Sequence, residues 1–247
     1  MSKSNIKPDY VEKDRFTDET ENYFNDGLGS TYEKLTHFAK YVPRQNLTRF
    51  LTKYELFKKV LDVEGSIVEC GVNFGGGLMS FAKFSSIFEP VNYTRKIIGF
   101  DTFTGFPELT KYDLGGPDGH IGGMKSQSFD DLITCSKIYD SNRLINHINK
   151  IELVKGDATK TIPEYFRKNE HTVVSLLYLD FDIYKPTKVA LENIVPRMPK
   201  GSIIAFDELN HEGWKGETKA LMDTLGISKL RIKRFHFDTY VSYAILE

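Results

Sequence analysis

The sequence is poor in the features that mark disulfide-stabilised, membrane-spanning or nucleic-acid-binding proteins. Its 247 residues include two cysteines, Cys70 and Cys135, which are too few for a disulfide framework and fit a reducing compartment. No run approaches the roughly 20 apolar residues of a membrane span, and residues 1–25 lack a secretory signal. The net charge of -1 argues against an electrostatic nucleic-acid binder, which would need a basic stripe, and the sequence shows no such stripe. We therefore expect a cytoplasmic protein without membrane or nucleic-acid partners.

Apolar runs alternate with helical patterns along most of the chain. Buried strands are predicted at 66–70, 96–101, 151–154, 173–179 and 202–206, with helices at 77–88, 129–138, 161–168, 187–195 and 215–225. This alternation predicts an α/β fold with a doubly wound, Rossmann-like, mostly parallel sheet. Residues 230–235 and 240–246 read as a hairpin around Phe237-Asp238-Thr239, which would make the edge of the sheet antiparallel.

The chain length fits one α/β domain, which we place at residues 46–247. Asn46 is the predicted cap of a helix with one apolar face. Residues 1–45 form an N-terminal extension, expected to be partly helical and to act as a lid or an oligomer contact. Residues 102–127 contain six glycines and two prolines without periodicity. We interpret this segment as a lid that orders on ligand binding, and a disordered insertion is the alternative.

A glycine-rich turn follows the first predicted strand and is typical of a cofactor site. Gly71 and Gly75 are four residues apart, which differs from the Gly-x-Gly-x-x-Gly spacing of dinucleotide-binding proteins. Glu69 precedes the turn, where it would repel a pyrophosphate and attract an ammonium group. Asp101, at the end of the second strand, is placed to accept hydrogen bonds from ribose hydroxyls, and Asp157 follows the third strand, where it would border an adenine. Because Glu69 would attract an ammonium group, the cofactor is expected to carry a positive charge.

The candidate cofactor-binding residues lie at successive strand ends. Each glycine or aspartate taken alone is more typical of a tight turn or a helix cap than of a ligand contact, and an N-cap explains Ser128 as well as a cofactor contact does. Their combination favours a ligand site. The full set is Glu69, Gly71, Asn73, Gly75, Asp101, Thr102, Ser128, Gly156 and Asp157.

Two acidic clusters, Asp180-Phe181-Asp182 and Asp207-Glu208, follow the fourth and fifth predicted strands. Neighbouring carboxylates cannot all ionise unless a positive group offsets their repulsion. Oxygen-only ligands with open positions suit magnesium better than zinc. The alternative is that the aspartates cap helices or pair with Lys185 and Lys188.

Three segments of the chain resemble the macrocin O-methyltransferase family: Glu69-x-Gly71-x-x-x-Gly75, the stretch from Gly99 to Pro107, and Asp180-x-Asp182-x-Tyr184 with Asp207 beyond it. The match covers roughly residue 44 to the end. It implies a seven-stranded class I methyltransferase that uses S-adenosylmethionine and magnesium to methylate sugar hydroxyls. By this resemblance Asp180, Asp207 and Glu208 hold the metal, although the family usually has Asp-Asp where this chain has Asp207-Glu208.

The expected reaction is methyl transfer to a sugar hydroxyl of a nucleotide-linked sugar or a glycosylated product. Asp182 is the candidate general base, from its position beside the metal cluster and from the family pattern, and His120 in the lid is its rival. Trp214 would either stack on the sugar or serve packing alone. The resemblance also favours a homo-oligomer, a dimer or larger. A catechol or other vicinal diol as acceptor, a nicotinamide-dependent dehydrogenase and a non-catalytic scaffold remain alternatives.

Overall fold

The computed structural model describes residues 10–115 and 118–247, with side chains from residue 18 onward. Residues 1–9 of the expected N-terminal extension and 116–117 of the expected lid lie outside the described residues. The chain divides into two compact units, Met1–Arg49 and Phe50–Glu247. The first unit contains α1 (Tyr10–Asp26), α2 (Thr31–Thr36) and a 3-10 helix (Phe38–Lys40). Helix α2 begins with a capping box formed by Ser30 and Glu33.

Helix α3 (Arg44–Lys59) begins earlier than predicted. The prediction that Asn46 caps this helix is wrong, because Asn46 lies within the first turn. Pro43 precedes Arg44, and its carbonyl accepts a hydrogen bond from the N–H of Leu47 at 3.0 Å. Proline suits this position because its φ is fixed and its missing N–H has no partner at a helix start.

A seven-stranded sheet forms the centre of the second unit, with the order β3-β2-β1-β4-β5-β7-β6. The five strands β1 to β5 are parallel, and β7 pairs antiparallel with both β5 and β6. This arrangement confirms the predicted doubly wound sheet with an antiparallel C-terminal hairpin. The strands are β1 (Ser66–Cys70), β2 (Ile97–Asp101), β3 (Ile151–Lys155), β4 (Val174–Leu179), β5 (Ile203–Phe206), β6 (Lys233–Arg234) and β7 (Ser242–Ile245).

The hairpin strands are shorter than predicted because the side chain of Asp238 hydrogen-bonds the backbone N–H groups between them. Its Oδ1 accepts hydrogen bonds from the N–H groups of Tyr240 and Val241 at 2.9 and 3.3 Å, so these groups do not join the ladder. Its Oδ2 accepts a hydrogen bond from Thr52 Oγ1 at 2.5 Å. The turn is therefore fixed to helix α3.

Helices cover both faces of the sheet. They are α4 (Gly76–Phe88), α5 (Phe129–Ser141), α6 (Ala158–Lys168), α7 (Tyr184–Ile194) and α8 (Gly216–Thr224), with 3-10 helices at Val195–Arg197 and Ile227–Lys229. Helix α6 begins three residues before its predicted start, because Asp157 accepts a hydrogen bond from the N–H of Thr159 and caps it. Helix α7 also begins early, because Asp113 Oδ1 accepts a hydrogen bond from the N–H of Tyr184 at 2.8 Å. Such a distant cap leaves no local sequence signal.

The core has two layers because successive strand residues point to opposite faces of the sheet. Helices α3, α4 and α5 pack on one face, where Phe57, Phe81 and Tyr178 belong to one buried hydrophobic cluster. Helices α6, α7 and α8 pack on the other face, where Cys70 is fully buried as predicted. Among residues 10–115 and 118–247, no helix is long and apolar enough to cross a membrane.

Candidate active site

A pocket of about 300 Å³ opens at the carboxyl ends of β1, β2 and β4. Strand β1 lies between β2 and β4, which is the point where the strand order reverses and where doubly wound sheets bind ligands. The sequence-predicted residues that line the pocket are Glu69, Gly71, Asn73, Asp101, Thr102, Asp157, Asp180 and Asp182. The predicted residues outside its lining are Gly75, His120, Ser128, Gly156, Asp207 and Glu208.

The glycine turn after β1 depends on two close approaches of the backbone. Gly71 has a φ of 93°, and a Cβ atom on it would lie 1.9 Å from the carbonyl oxygen of Asp180. Gly75 has a φ of 81°, and a Cβ atom there would lie 2.2 Å from Leu132 Cδ2. A side chain at either position would therefore displace its neighbours. The turn brings Gly76 and Gly77, the first residues of α4, to the pocket.

Glu69 lies in the pocket floor and is 2% exposed. Its carboxylate accepts a backbone hydrogen bond from Leu78, and its Oε2 has no hydrogen-bond partner among the described residues. Burial raises the pKa of Glu69 to about 8, and the positive charge of Lys53 opposes that shift. A buried carboxylate with an unused oxygen favours a cationic ligand, because a hydrogen-bonded cation would offset the cost of burial.

Lys53 is a residue of the site that the sequence reasoning missed. It projects from α3, is 8% exposed, and lines the pocket. Its Nζ lies 4.2 Å from the ring centroid of Tyr178, within the range of a cation–π interaction. The available signal was its spacing, since Lys53 falls one helical turn before Phe57 on the buried face of α3.

Asp101 organises the backbone around the pocket. Its Oδ2 accepts hydrogen bonds from the N–H groups of Val72 and Asn73, both at 2.8 Å. Its Oδ1 accepts one from Phe103 at 2.6 Å. The side chain that the sequence assigns to ribose binding therefore also fixes the glycine turn to the segment after β2. Oδ2 thus accepts two hydrogen bonds, whereas Oδ1 accepts one and keeps acceptor capacity in a side chain that lines the pocket.

The other predicted cofactor residues support the turn or the start of α6. Ser128 occupies the N-cap position of α5, but its side chain does not cap the helix and instead donates a hydrogen bond from its Oγ to the carbonyl of Asn73. The N–H of Gly156 bonds the carbonyl of Asp101 at 2.9 Å. Thr102 Oγ1 donates to the carbonyl of Gly105 at 2.7 Å.

Asp180 and Asp182 follow β4 and both line the pocket. Asp182 has a φ of 62°, a left-handed conformation that costs an aspartate on the order of 1–3 kcal/mol, and it is 8% exposed. Burial raises the pKa of Asp180, and the negative charges of Asp207 and Asp182 raise it further. The three carboxylates are thus close enough to repel one another.

Asp207 and Glu208 follow β5 and have protein partners. Tyr178 donates a hydrogen bond from its hydroxyl to Asp207 Oδ1 at 2.6 Å. Glu208 Oε2 lies 3.6 Å from His211 Nδ1, and the N–H of Glu208 bonds Oε1 of the fully buried Glu217 at 2.9 Å. Within the part of the chain that the structure describes, no group of three His, Cys, Asp or Glu side chains is arranged to hold a metal ion.

The described part of the expected lid packs on the body of the second unit. Asp113, which is 1% exposed, bonds the start of α7 and also the N–H and hydroxyl of Thr110. Phe106 packs against Trp214 with ring centroids 5.8 Å apart, so Trp214 serves packing under this segment. His120 is exposed and is not among the residues that line the pocket.

Comparisons with known proteins agree with this geometry. The family model described as "Macrocin-O-methyltransferase (TylF)" matches residues 43–243. The crystal structure of CalS11, described as a calicheamicin methyltransferase, is 31% identical in sequence, with 99% of each chain covered and a TM-score of 0.92. An apo structure of CalS11, described as a TDP-rhamnose 3'-O-methyltransferase, is 32% identical in sequence, with 98% of this chain and 96% of that chain covered and a TM-score of 0.81.

A more distant similarity concerns the fold alone. The O-methyltransferase NovP is 19% identical over 81% of this chain and 79% of its own, with a TM-score of 0.55. A comparison with curated protein sequences found no match.

Two adjacent glycines provide a matched test of the pocket floor. A Cβ atom on Gly77 would lie 1.8 Å from Glu69 Oε1 and 2.6 Å from Lys53 Cε, whereas one on Gly76 would meet nothing within 4 Å. We expect Gly77→Ala to displace Glu69 and to weaken binding of S-adenosylhomocysteine about tenfold or more, as for loss of a charged hydrogen bond. Gly76→Ala should keep the wild-type affinity. Isothermal titration calorimetry measures both, and equal affinities of the two variants would contradict the role of the pocket floor.

Proposed function

The chain belongs to the macrocin O-methyltransferase family, and we propose that it transfers a methyl group from S-adenosylmethionine to a hydroxyl of a nucleotide-linked sugar. The observation that carries this proposal is the similarity along nearly the whole chain to CalS11, which is described as a TDP-rhamnose 3'-O-methyltransferase. The pocket supports it, since its floor combines a glycine turn with a buried carboxylate. A deoxysugar linked to a nucleoside diphosphate is the substrate class that we propose.

The cofactor is proposed to lie along the carboxyl ends of β1 to β3. S-adenosylmethionine supplies the methyl group on a sulfonium, which is a positively charged leaving centre. Glu69 would hold the ammonium of the amino-acid end, and Asp101 would accept hydrogen bonds from the ribose hydroxyls. Asp157, at the start of α6, would border the adenine. A cofactor bound on this buried floor would keep water from the reacting groups.

The carboxylates after β4 and β5 fit a magnesium ion in their chemistry. They are oxygen donors only, and burial and mutual repulsion raise the pKa of Asp180. We propose Asp180, Asp207 and Glu208 as the ligands. Glu208 would then exchange its contact with His211 for the metal. When bound, magnesium would stabilise a sugar oxygen as it loses its proton.

Asp182 is the proposed general base. Its left-handed backbone turns the chain directly after Asp180 and keeps the carboxylate in the pocket lining. From there Asp182 would accept the proton of the sugar hydroxyl as the methyl group is transferred. The residues around the pocket would contribute chiefly by aligning the hydroxyl with the methyl group.

The substrate class is tested by incubating the protein with S-adenosylmethionine and TDP-rhamnose. We expect mass spectrometry to detect a sugar nucleotide that has gained one methylene unit, because the acceptor hydroxyl exchanges hydrogen for methyl. Free rhamnose and a catechol serve as comparison acceptors. Methylation of the catechol without methylation of any sugar nucleotide would contradict the proposal.

The metal requirement is tested with a chelator. Excess EDTA should abolish methyl transfer and added magnesium should restore it, because Asp180 and Asp207 would otherwise repel each other at the acceptor position. Asp207→Asn should raise the magnesium concentration needed for half-maximal rate. Unchanged turnover in excess chelator would remove the metal from the mechanism.

The general base is tested by comparing Asp182→Asn with His120→Ala. Asp182→Asn should lower kcat by roughly 10²-fold or more and leave the affinity for S-adenosylhomocysteine nearly unchanged, because it removes only the proton acceptor. Asp131→Asn, an exposed position in the first turn of α5, is the matched control. If His120→Ala causes the larger loss of kcat, the base lies in the lid segment instead.

A further inference from the structure

Two oppositely charged side chains share the floor of the pocket. Glu69 and Lys53 are 2% and 8% exposed, and both line the pocket. A Cβ atom on Gly77 would lie within 2.6 Å of Lys53 Cε and 1.8 Å of Glu69 Oε1, so both side chains border the same space above the start of α4. The floor therefore places a buried carboxyl group and a buried ammonium group side by side.

The contacts that both side chains make within the protein leave capacity for a ligand. Glu69 Oε2 has no hydrogen-bond partner among the described residues. The Nζ of Lys53 lies 4.2 Å from the centroid of the Tyr178 ring. The face of the ring attracts the positive charge but accepts no conventional hydrogen bond. An ammonium has three donors, and buried donors are normally hydrogen-bonded.

A ligand that carries an ammonium and a carboxylate on one carbon atom is complementary to this pair. Its ammonium would donate to Glu69, and its carboxylate would accept from Lys53, giving two charge-assisted hydrogen bonds in a site of low exposure. Burial raises the pKa of Glu69, and an arriving ammonium would offset that cost.

We infer that Lys53 is a cofactor-binding residue whose ammonium holds the carboxylate of the amino-acid end of S-adenosylmethionine, opposite Glu69. This inference rests on the proposed function. It assigns to α3, a helix outside the glycine turn, the recognition of the group that distinguishes the intact cofactor from nucleosides without an amino-acid end.

Lys53 also faces Asp180, and its positive charge counteracts the rise in the pKa of that carboxyl. A purely electrostatic role beside the acidic cluster is therefore the competing explanation. The two roles differ in what they predict for a ligand without a carboxylate. Only direct binding makes the effect of Lys53 depend on that group.

The test measures binding of S-adenosylhomocysteine and of its decarboxylated analogue by calorimetry, without turnover. Wild-type protein should bind S-adenosylhomocysteine about 10- to 100-fold more tightly than the decarboxylated analogue, which is the difference expected for one charged hydrogen bond. Lys53→Met should lose most of this difference by weakening only S-adenosylhomocysteine. Lys83→Met, an exposed lysine of α4 with the same change in net charge, should keep the wild-type difference.

Each outcome is decisive. Equal affinity of the wild-type protein for the two ligands would overturn the role of Lys53 without any variant. Equal weakening of both ligands in Lys53→Met would assign Lys53 to the acidic cluster or to the fold, and Lys53→Gln serves if the methionine variant does not fold. Failure of wild-type protein to bind S-adenosylhomocysteine at all would instead contradict the proposed function.

Discussion

The burial of carboxyl groups at neighbouring strand ends, together with their mutual repulsion, is the constraint on which the pocket depends. Glu69 lies near the end of β1, and Asp180 follows β4. Burial raises the pKa of each carboxyl group, and the other acids nearby raise it further. Lys53 counteracts the rise at both, yet the pKa of Glu69 still stands at about 8. The pocket therefore favours ligands that bring positive charge, which is the property shared by an ammonium, a sulfonium and a divalent cation.

The backbone around these carboxylates is fixed by two buried or partly buried aspartates and by one glycine. Asp101 holds the glycine turn through two backbone N–H groups and the segment after β2 through a third, and Asp113 holds the start of α7 directly beyond Asp182. Gly71 permits the backbone to pass against Asp180. The proposed base thus occupies a strained conformation between two anchored segments, as expected where the surrounding structure determines a functional residue.

The strand pattern and the carboxyl-end location of the site follow from the sequence, because buried parallel strands are long apolar runs and their ends are marked by Glu69, Asp101 and Asp180. The start of α7 does not follow, because its cap comes from Asp113, a residue distant in the chain. Lys53 was missed because helical periodicity assigns its position to the core, where a lysine is rare unless it has a partner. Its partners belong to other elements and become visible only in the folded chain.

A crystal structure with S-adenosylhomocysteine and Mn²⁺, located by its anomalous scattering, tests the account most directly. The account predicts the amino-acid end of the ligand at Glu69, the ribose at Asp101, and an anomalous peak within coordination distance of both Asp180 and Asp207. A ligand-bound structure in which Asp180 and Asp207 pair with Lys53 or with each other, without an anomalous peak beside them, would contradict the proposed metal site.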